Sequence, residues 1–226
     1  NAQEPQFVSK EKQNRNVLIE EFTGINCPNC PDGHKVANQI SHDNPGRVWA
    51  VNIHTGGYAP TSYPNFNTTD GYTLSTGFGI QGYPCATVNR NGANAIFRNE
   101  WPSVAAAQLA QAAEVNVGGQ VVLNPVTRQA TITVEAYYTA DSKESTNYLT
   151  VVMLQDSILG PQGGSAYNPS QIVNGEYCHM HILRDIITPS WGEEITTTTA
   201  GTLVKREYAY EIPETIGTPN GVEVDL

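Results

Sequence analysis

Apolar residues fall in short runs and alternations along this chain, not in long helical stripes. Residues 16–22 (Asn-Val-Leu-Ile-Glu-Glu-Phe) form a brief apolar run suited to a buried strand. Thr23-Gly24-Ile25-Asn26 follows with turn chemistry. From Cys27 to about Ile40 the period changes. Val36, Ala37 and Ile40 recur at helical spacing, and Pro45-Gly46 ends the element. Residues 47–54 predict a second buried strand. Residues 55–79 are rich in Gly, Pro, Tyr, Asn and Thr with little periodicity, and a loop that long is usually functional or carries short helices. Two short strands, 84–90 and 94–98, flank Asn91-Gly92, the dipeptide of tight hairpins. The Ala-rich stretch 101–114 predicts a helix. The first half thus reads strand, helix, strand, loop, hairpin, helix.

The second half changes character. Residues 115–122, 130–138, 148–154, 177–188 and 202–211 alternate or run β-branched, with turns at Asn124-Pro125 and around 141–147. Several short strands with regular turns predict a β-sandwich. Three units follow: a loose polar arm, 1–15; an α/β domain, 16–114; and an all-β domain, 115–226. Residues 220–226 read as a turn leading into a strand just begun, so further strands are expected beyond Leu226.

A length of 226 residues suits two domains. Apolar residues make up 39% and charged residues 15%, enough for real cores and too little charge for a disordered acidic chain. The surface must then be rich in neutral polar groups, as on many exported proteins. The net charge of −10 disfavours nucleic acid and anionic membrane surfaces as partners. Lys10, Lys12 and Arg15, the densest cationic group, read as a solvated segment. No run approaches the ~20 apolar residues of a membrane span. Residue 1 is Asn and not an initiator Met, and residues 1–226 are not expected to include a signal peptide. Asn1-Ala2-Gln3-Glu4-Pro5 reads as the start of a processed or trimmed chain, and a removed signal or a lipid-anchor Cys ahead of it fits that start.

Cys27-Pro28-Asn29-Cys30 carries the chemistry. Zinc would need a second close pair of ligands, and Cys85 and Cys178 are isolated, so neither a metal nor another cofactor is expected. Between a buried strand and a helix, the pair places its first sulfur at a helix N-terminus, where free N–H groups favour the thiolate. The second sulfur lies one turn on and can resolve a mixed disulfide. Pro28 suits a first helical turn; Pro31 either bends the helix or sits within that turn. The plainer reading is a permanent staple, though so short a loop constrains the unfolded chain little. Cys85 and Cys178 either bridge the two domains or remain free, Cys85 beside the redox pair and Cys178 as a small buried hydrophobe. His179 and His181 alternate on a strand and read as surface or hydrogen-bonded side chains. His54 is a structural residue or a neighbour that tunes the thiolate. His34 is expected to be exposed, without a role. Tyr58, Tyr63, Phe66 and Tyr72 either form an aromatic binding surface or pack down their loop.

Val17-Leu18-Ile19-Glu20-Glu21-Phe22 leading to the cysteine pair resembles the active-site strand and helix of thioredoxin-like proteins. Ile80-Gln81-Gly82-Tyr83-Pro84 is similar to their later loop. The resemblance implies a thioredoxin-like α/β first domain, and the all-β sandwich expected after it is immunoglobulin-like in class. It implies Cys27 as nucleophile, Cys30 as resolving thiol and Glu21 as a buried proton relay. It also implies a cis Pro84, with Tyr83 and Asn26 facing an extended substrate. The chain departs from that family at Asn26, which stands where a tryptophan is expected, at Pro31-Asp32 and at Cys85. Glu20-Glu21-Phe22-Thr23-Gly24, Tyr83-Pro84 with Val88-Asn89-Arg90, and His179-x-His181-x-Leu183-Arg184 with Trp191-Gly192 resemble the outer membrane protein 28 family of Bacteroidetes. Those are periplasmic or surface lipoproteins described as adhesins or receptors. Two functions follow as expectations: thiol–disulfide exchange on the thiols or disulfides of exported proteins, or a cell-surface module that binds a surface ligand.

Overall fold

A computed structural model of the chain describes residues 4–226. The elements, in order, are β1 (Val17–Thr23), α1 (Cys30–Asp43), β2 (Val48–His54), α2 (Thr69–Gly77), β3 (Cys85–Val88), β4 (Ile96–Phe97) and α3 (Trp101–Leu109) in the first half. The second half holds β5 (Val115–Asn124), β6 (Gln129–Tyr138), β7 (Asn147–Leu149), β8 (Val152–Gln155), β9 (Ile158–Gly160), β10 (Ile172–Val173), β11 (Glu176–His179), β12 (Ile182–Ile186), β13 (Glu193–Ile195), β14 (Leu203–Glu211), β15 (Thr215–Ile216) and β16 (Val222–Glu223). The fold is mixed α/β and rich in β-structure, with few helices and several sheets.

The largest sheet has the order β4-β3-β1-β2-β12-β8. β1 and β2 are parallel, joined across α1, and β3 and β4 are antiparallel to their neighbours. Strand alternation gives β1 two apolar faces. Val17 and Ile19 pack with Ala37 and Ile40 of α1 and with Trp101 and Ala105 of α3. Phe22 packs on the other side with Val51, Ile53, Leu74, Phe78 and Leu183. Burial on both faces explains why these strands read as continuous apolar runs rather than alternations.

Leu183 and Ile186 lie on β12, so the sheet crosses the boundary expected at Glu114–Val115. Residues 115–226 do not close into a sandwich of their own. Their strands are spread over five sheets: the large one, β10-β11-β9, β13-β7, β14-β6-β5 and β15-β16. The expected strand 148–154 splits into β7 and β8, which join different sheets, and 177–188 splits into β11 and β12. The second break falls at His181, whose φ of 55° no strand tolerates. β5, β6 and β14 do pair over their full lengths. Ala136, Tyr138 and Val204 from that sheet enclose a small core with Ile195.

The expected loose arm is corrected too, where it is described. The Glu135 carboxylate accepts from the backbone N–H groups of Gln6, Phe7 and Val8 at 2.8, 2.7 and 3.3 Å. Asn116 Nδ2 donates to the carbonyls of Ser9 and Glu11. Residues 1–3 lie outside the described residues. The long segment 55–79 contains α2, whose first turn is capped by Thr68 Oγ1 accepting from Gly71 N–H at 2.9 Å.

Candidate functional site

The cysteine pair sits at the end of β1, where the chain turns into α1. Cys27 and Cys30 form a disulfide with Cα atoms 5.4 Å apart. The helix begins at Cys30, with Asn29 as its cap and Pro31 inside its first turn. Cys27 therefore precedes the helix instead of occupying its first turn as expected. A turn bond, Cys27 N–H to Gly24 O at 3.0 Å, fixes it there.

Both cysteines are covered: Cys27 is 1% exposed and Cys30 0%. The cover is residues 161–168, a strap between β9 and β10. Gly163 N–H donates to Ile25 O at 2.7 Å, and Gln162 Nε2 donates to the carbonyls of Gly24 and Cys27 at 3.2 and 3.1 Å. Two glycines permit this approach. A Cβ at Gly163 would lie 3.1 Å from Asn26 O, and one at Gly164, where φ is +66°, would collide with Pro28 O. The His179 ring bonds Pro161 O at 3.1 Å and pins the near end of the strap.

Glu21, on β1, is fully buried, with neither carboxyl oxygen hydrogen-bonded. Its Oε1 packs against Gly33 and Pro84: a Cβ added at Gly33 would stand 2.5 Å from that oxygen and 2.9 Å from the proline ring. Burial raises the Glu21 pKa well above the carboxylate range, and the Arg98 charge offsets this in part. The Tyr83–Pro84 bond is cis, and Pro84 is buried. Tyr83 is half-buried, its ring edge-on to Tyr58 at 5.7 Å. It borders an open cleft of about 300 Å³ that Thr55, Tyr72, Ser75 and Thr76 also line. Asn26 is exposed, and its N–H donates to Tyr58 O. Glu21 and Pro84 thus meet under the first turn of α1, while Asn26 and Tyr83 lie toward the outer side.

Sequence reasoning missed a second group. His34, expected at the surface, is 3% exposed. Its Nε2 lies 3.1 Å from Thr23 Oγ1 and 3.7 Å from Glu21 Oε1, and its Nδ1 lies 2.7 Å from the Tyr177 hydroxyl. The signal was its place four residues after Cys30, on the same helical face. His179 is likewise buried, edge-on to Tyr177, Phe66 and His54. Burial pushes the pKa of His34 down to about 3 and that of His179 to about 4, and it lowers His54 well below the ordinary value. All three rings are therefore neutral. His181 is more open and pairs with Asp156 at 3.3 Å. Cys85 and Cys178 are free thiols. Cys85 is packed in the core behind Phe22, and burial raises its pKa to about 12, which leaves it inert. Among the described residues no group of three or more His, Cys, Asp or Glu is arranged to hold a metal, and no helix is long and apolar enough to cross a membrane. Of the aromatic residues in 55–79, Phe66 is buried, whereas Tyr58, Tyr63 and Tyr72 are exposed.

A search of curated proteins finds no match. Among solved structures, HBP35 of Porphyromonas gingivalis is similar at a TM-score of 0.67 with 20% identity; the match covers 87% of this chain and 64% of that one, so the chain spans under two thirds of it. A protein of Agrobacterium tumefaciens matches at a TM-score of 0.48 with 13% identity, over 86% of this chain and 79% of the other. Residues 72–224, more than half of the chain, match the model of a family described as outer membrane protein Omp28. The chain therefore belongs to the outer membrane protein Omp28 family, and its place is extracytoplasmic, in the periplasm or at the outer-membrane surface.

Proposed function

We propose that the chain carries out thiol–disulfide exchange on exported proteins through Cys27 and Cys30, on a thioredoxin-like half made of residues 16–114. Glu21 carries this reading. A buried carboxyl with no hydrogen-bond partner costs free energy, and a structural staple has no use for one. A dithiol does. An incoming thiolate attacks Cys27 Sγ, the bond to Cys30 breaks, and Cys30 leaves with the electron pair and takes a proton from the Glu21 carboxyl. A second substrate thiolate then displaces Cys27 from the mixed disulfide. The pair ends reduced and the substrate dithiol ends as a disulfide; the reverse sequence uses Glu21 as the base. The order β4-β3-β1-β2, with α1 between parallel β1 and β2, supports the thioredoxin-like reading.

The cover supports a second reading. In it the disulfide is a staple, and the exposed Tyr58, Tyr63 and Tyr72 or the β-rich half bind a surface ligand. Family membership is neutral between the two, because the matched region begins at residue 72, after the cysteine pair. The reduction potential of Cys27–Cys30, measured in glutathione buffers with thiol trapping, separates them. Exchange requires a value between roughly −120 and −270 mV, whereas a value below about −300 mV marks a staple and overturns the proposal.

A further inference from the structure

We propose that β5 is a self-association surface: two copies of the chain join edge to edge and antiparallel through β5, so that two three-stranded sheets become one of six. The cysteine pair takes no part in it.

β5 is the outer strand of the sheet β14-β6-β5. Its ten residues pair with β6 without a break, from Val115 opposite Tyr138 to Asn124 opposite Gln129. On the other side, no backbone group of residues 115–124 bonds to another backbone group among the described residues. The N-terminal segment does not fill that place. Its residues 6–8 cross the face of the sheet, where Glu135 accepts their N–H groups and a Cβ at Gly118 would collide with Phe7 O. The opposite edge, β14, carries Lys205, Arg206, Glu207 and Glu211, charges of the kind that blunt an open edge. β5 (Val-Asn-Val-Gly-Gly-Gln-Val-Val-Leu-Asn) has no charge, no proline and no bulge.

The side chains select a second copy as the occupant. Val115, Val117, Gly119, Val121 and Leu123 share one face of β5, next to the half-buried Ile132 and Val134 of β6. Val117 and Val121 are 61% and 62% exposed. An antiparallel β5 centred on Gly119 sets Val117 against Val121 of the other copy and Val115 against Leu123. Every large apolar side chain of that face then meets another. The neighbouring two-fold registers, centred on Gly118 or Gln120, each set a valine against Gly119. Charge favours the same contact. Copies with a net charge of −10 repel one another. In this register the charged residue next to the strand, Glu114, stands opposite Asn124, so no like charges face each other. At ~3.4 Å per residue the joint is about 34 Å long, and with a sheet height of ~10 Å it covers roughly 700 Å² in total, below the ~1,200 Å² of stable complexes. About ten backbone hydrogen bonds supplement that area, so the dimer is a weak, concentration-dependent one.

The test is sedimentation velocity of the full chain from about 1 µM to 1 mM. Conversion to dimer is expected with a midpoint on the order of 10–100 µM. Val121→Lys is expected to raise that midpoint at least about tenfold. The new cation lowers the net repulsion between copies, so weaker association comes from the strand itself. A chain that stays monomeric to 1 mM overturns the proposal, and so does a midpoint that Val121→Lys leaves in place. Register is read separately by cross-linking. Val117→Cys and Val121→Cys, each made alone, are mixed and oxidised. Residues directly opposite lie within disulfide reach, whereas four residues along the strand is roughly 13 Å, beyond it. The mixture is expected to give a covalent dimer that neither variant gives alone. A dimer whose mixture does not cross-link uses another surface, and the assignment of β5 falls.

Discussion

Adjacent side chains on a strand point to opposite faces, and β1 sends Glu20 toward Arg90 and Glu21 toward α1. Glu20 is bound by the Arg90 fork at 2.8 and 2.7 Å and by Thr87 at 3.1 Å, and the guanidinium also lies over the rings of Phe78 and Trp191. Removing the cation by Arg90→Leu strands a buried carboxylate and is expected to cost about 3–5 kcal/mol in urea denaturation. Glu21 behaves in the opposite way. Its folded pKa lies above the 4.5 of the unfolded chain, so the folded state binds the extra proton and stability falls as pH rises from 4.5 toward the folded value. Glu21→Gln is therefore expected to match wild type in thermal stability near pH 4 and to exceed it increasingly toward neutrality. A constant difference across that range would place the effect in packing instead. The sequence carried part of this contrast. The Glu-Glu step was visible, and the resemblance marked Glu21 as buried. The partner of Glu20 is 70 residues away and the neighbour of Glu21 was read as exposed, because one His among polar residues gives no sign of the strand that covers it.

At the scale of elements, the apolar runs of β1 and β2 were legible because both strands are buried along most of their length, and the helical spacing of α1 because it buries one face. α2 was not, because its sequence buries only Gly71 and Leu74. β9, β10, β13, β15 and β16 are two or three residues long, too short for any alternation to register. The strap was also silent, although Pro161-Gln162-Gly163-Gly164 has the composition of a close backbone approach. Its contacts predict a measurable barrier. Gly164→Ala places a Cβ against Pro28 O and strains a positive φ, which loosens the cover. Reduction of Cys27–Cys30 by dithiothreitol is expected to become roughly tenfold faster, the kinetic equivalent of about 1.4 kcal/mol. An unchanged rate would mean that the sulfurs are reached by another route.

For the whole molecule, the two-part reading of the sequence missed the sheet that joins the parts. Asn52 N–H and Nδ2 bond the carbonyls of His181 and Met180 at 2.7 and 2.8 Å, and Ile182 pairs with Asn52 as β12 enters beside β2. Composition shifts near Glu114, but hydrogen bonding does not stop there. A fragment ending at Glu114 leaves the edge of β2 open and uncovers the apolar face that Leu183 and Ile186 close. It is expected to give poorly dispersed amide spectra and to associate on size exclusion; a monodisperse, well-dispersed fragment would show that β12 is dispensable.

The tie between Glu135 and residues 6–8 decides how the molecule meets mechanical load. Tension drawn through the N-terminal segment does not reach β1 first. It is taken up on the sheet of β5, β6 and β14, where the carboxylate of Glu135 and the amide of Asn116 grip the chain. The cysteine pair is mechanically downstream of that grip, so a pull from the N-terminal side must peel away residues 6–11 before any force acts on the disulfide.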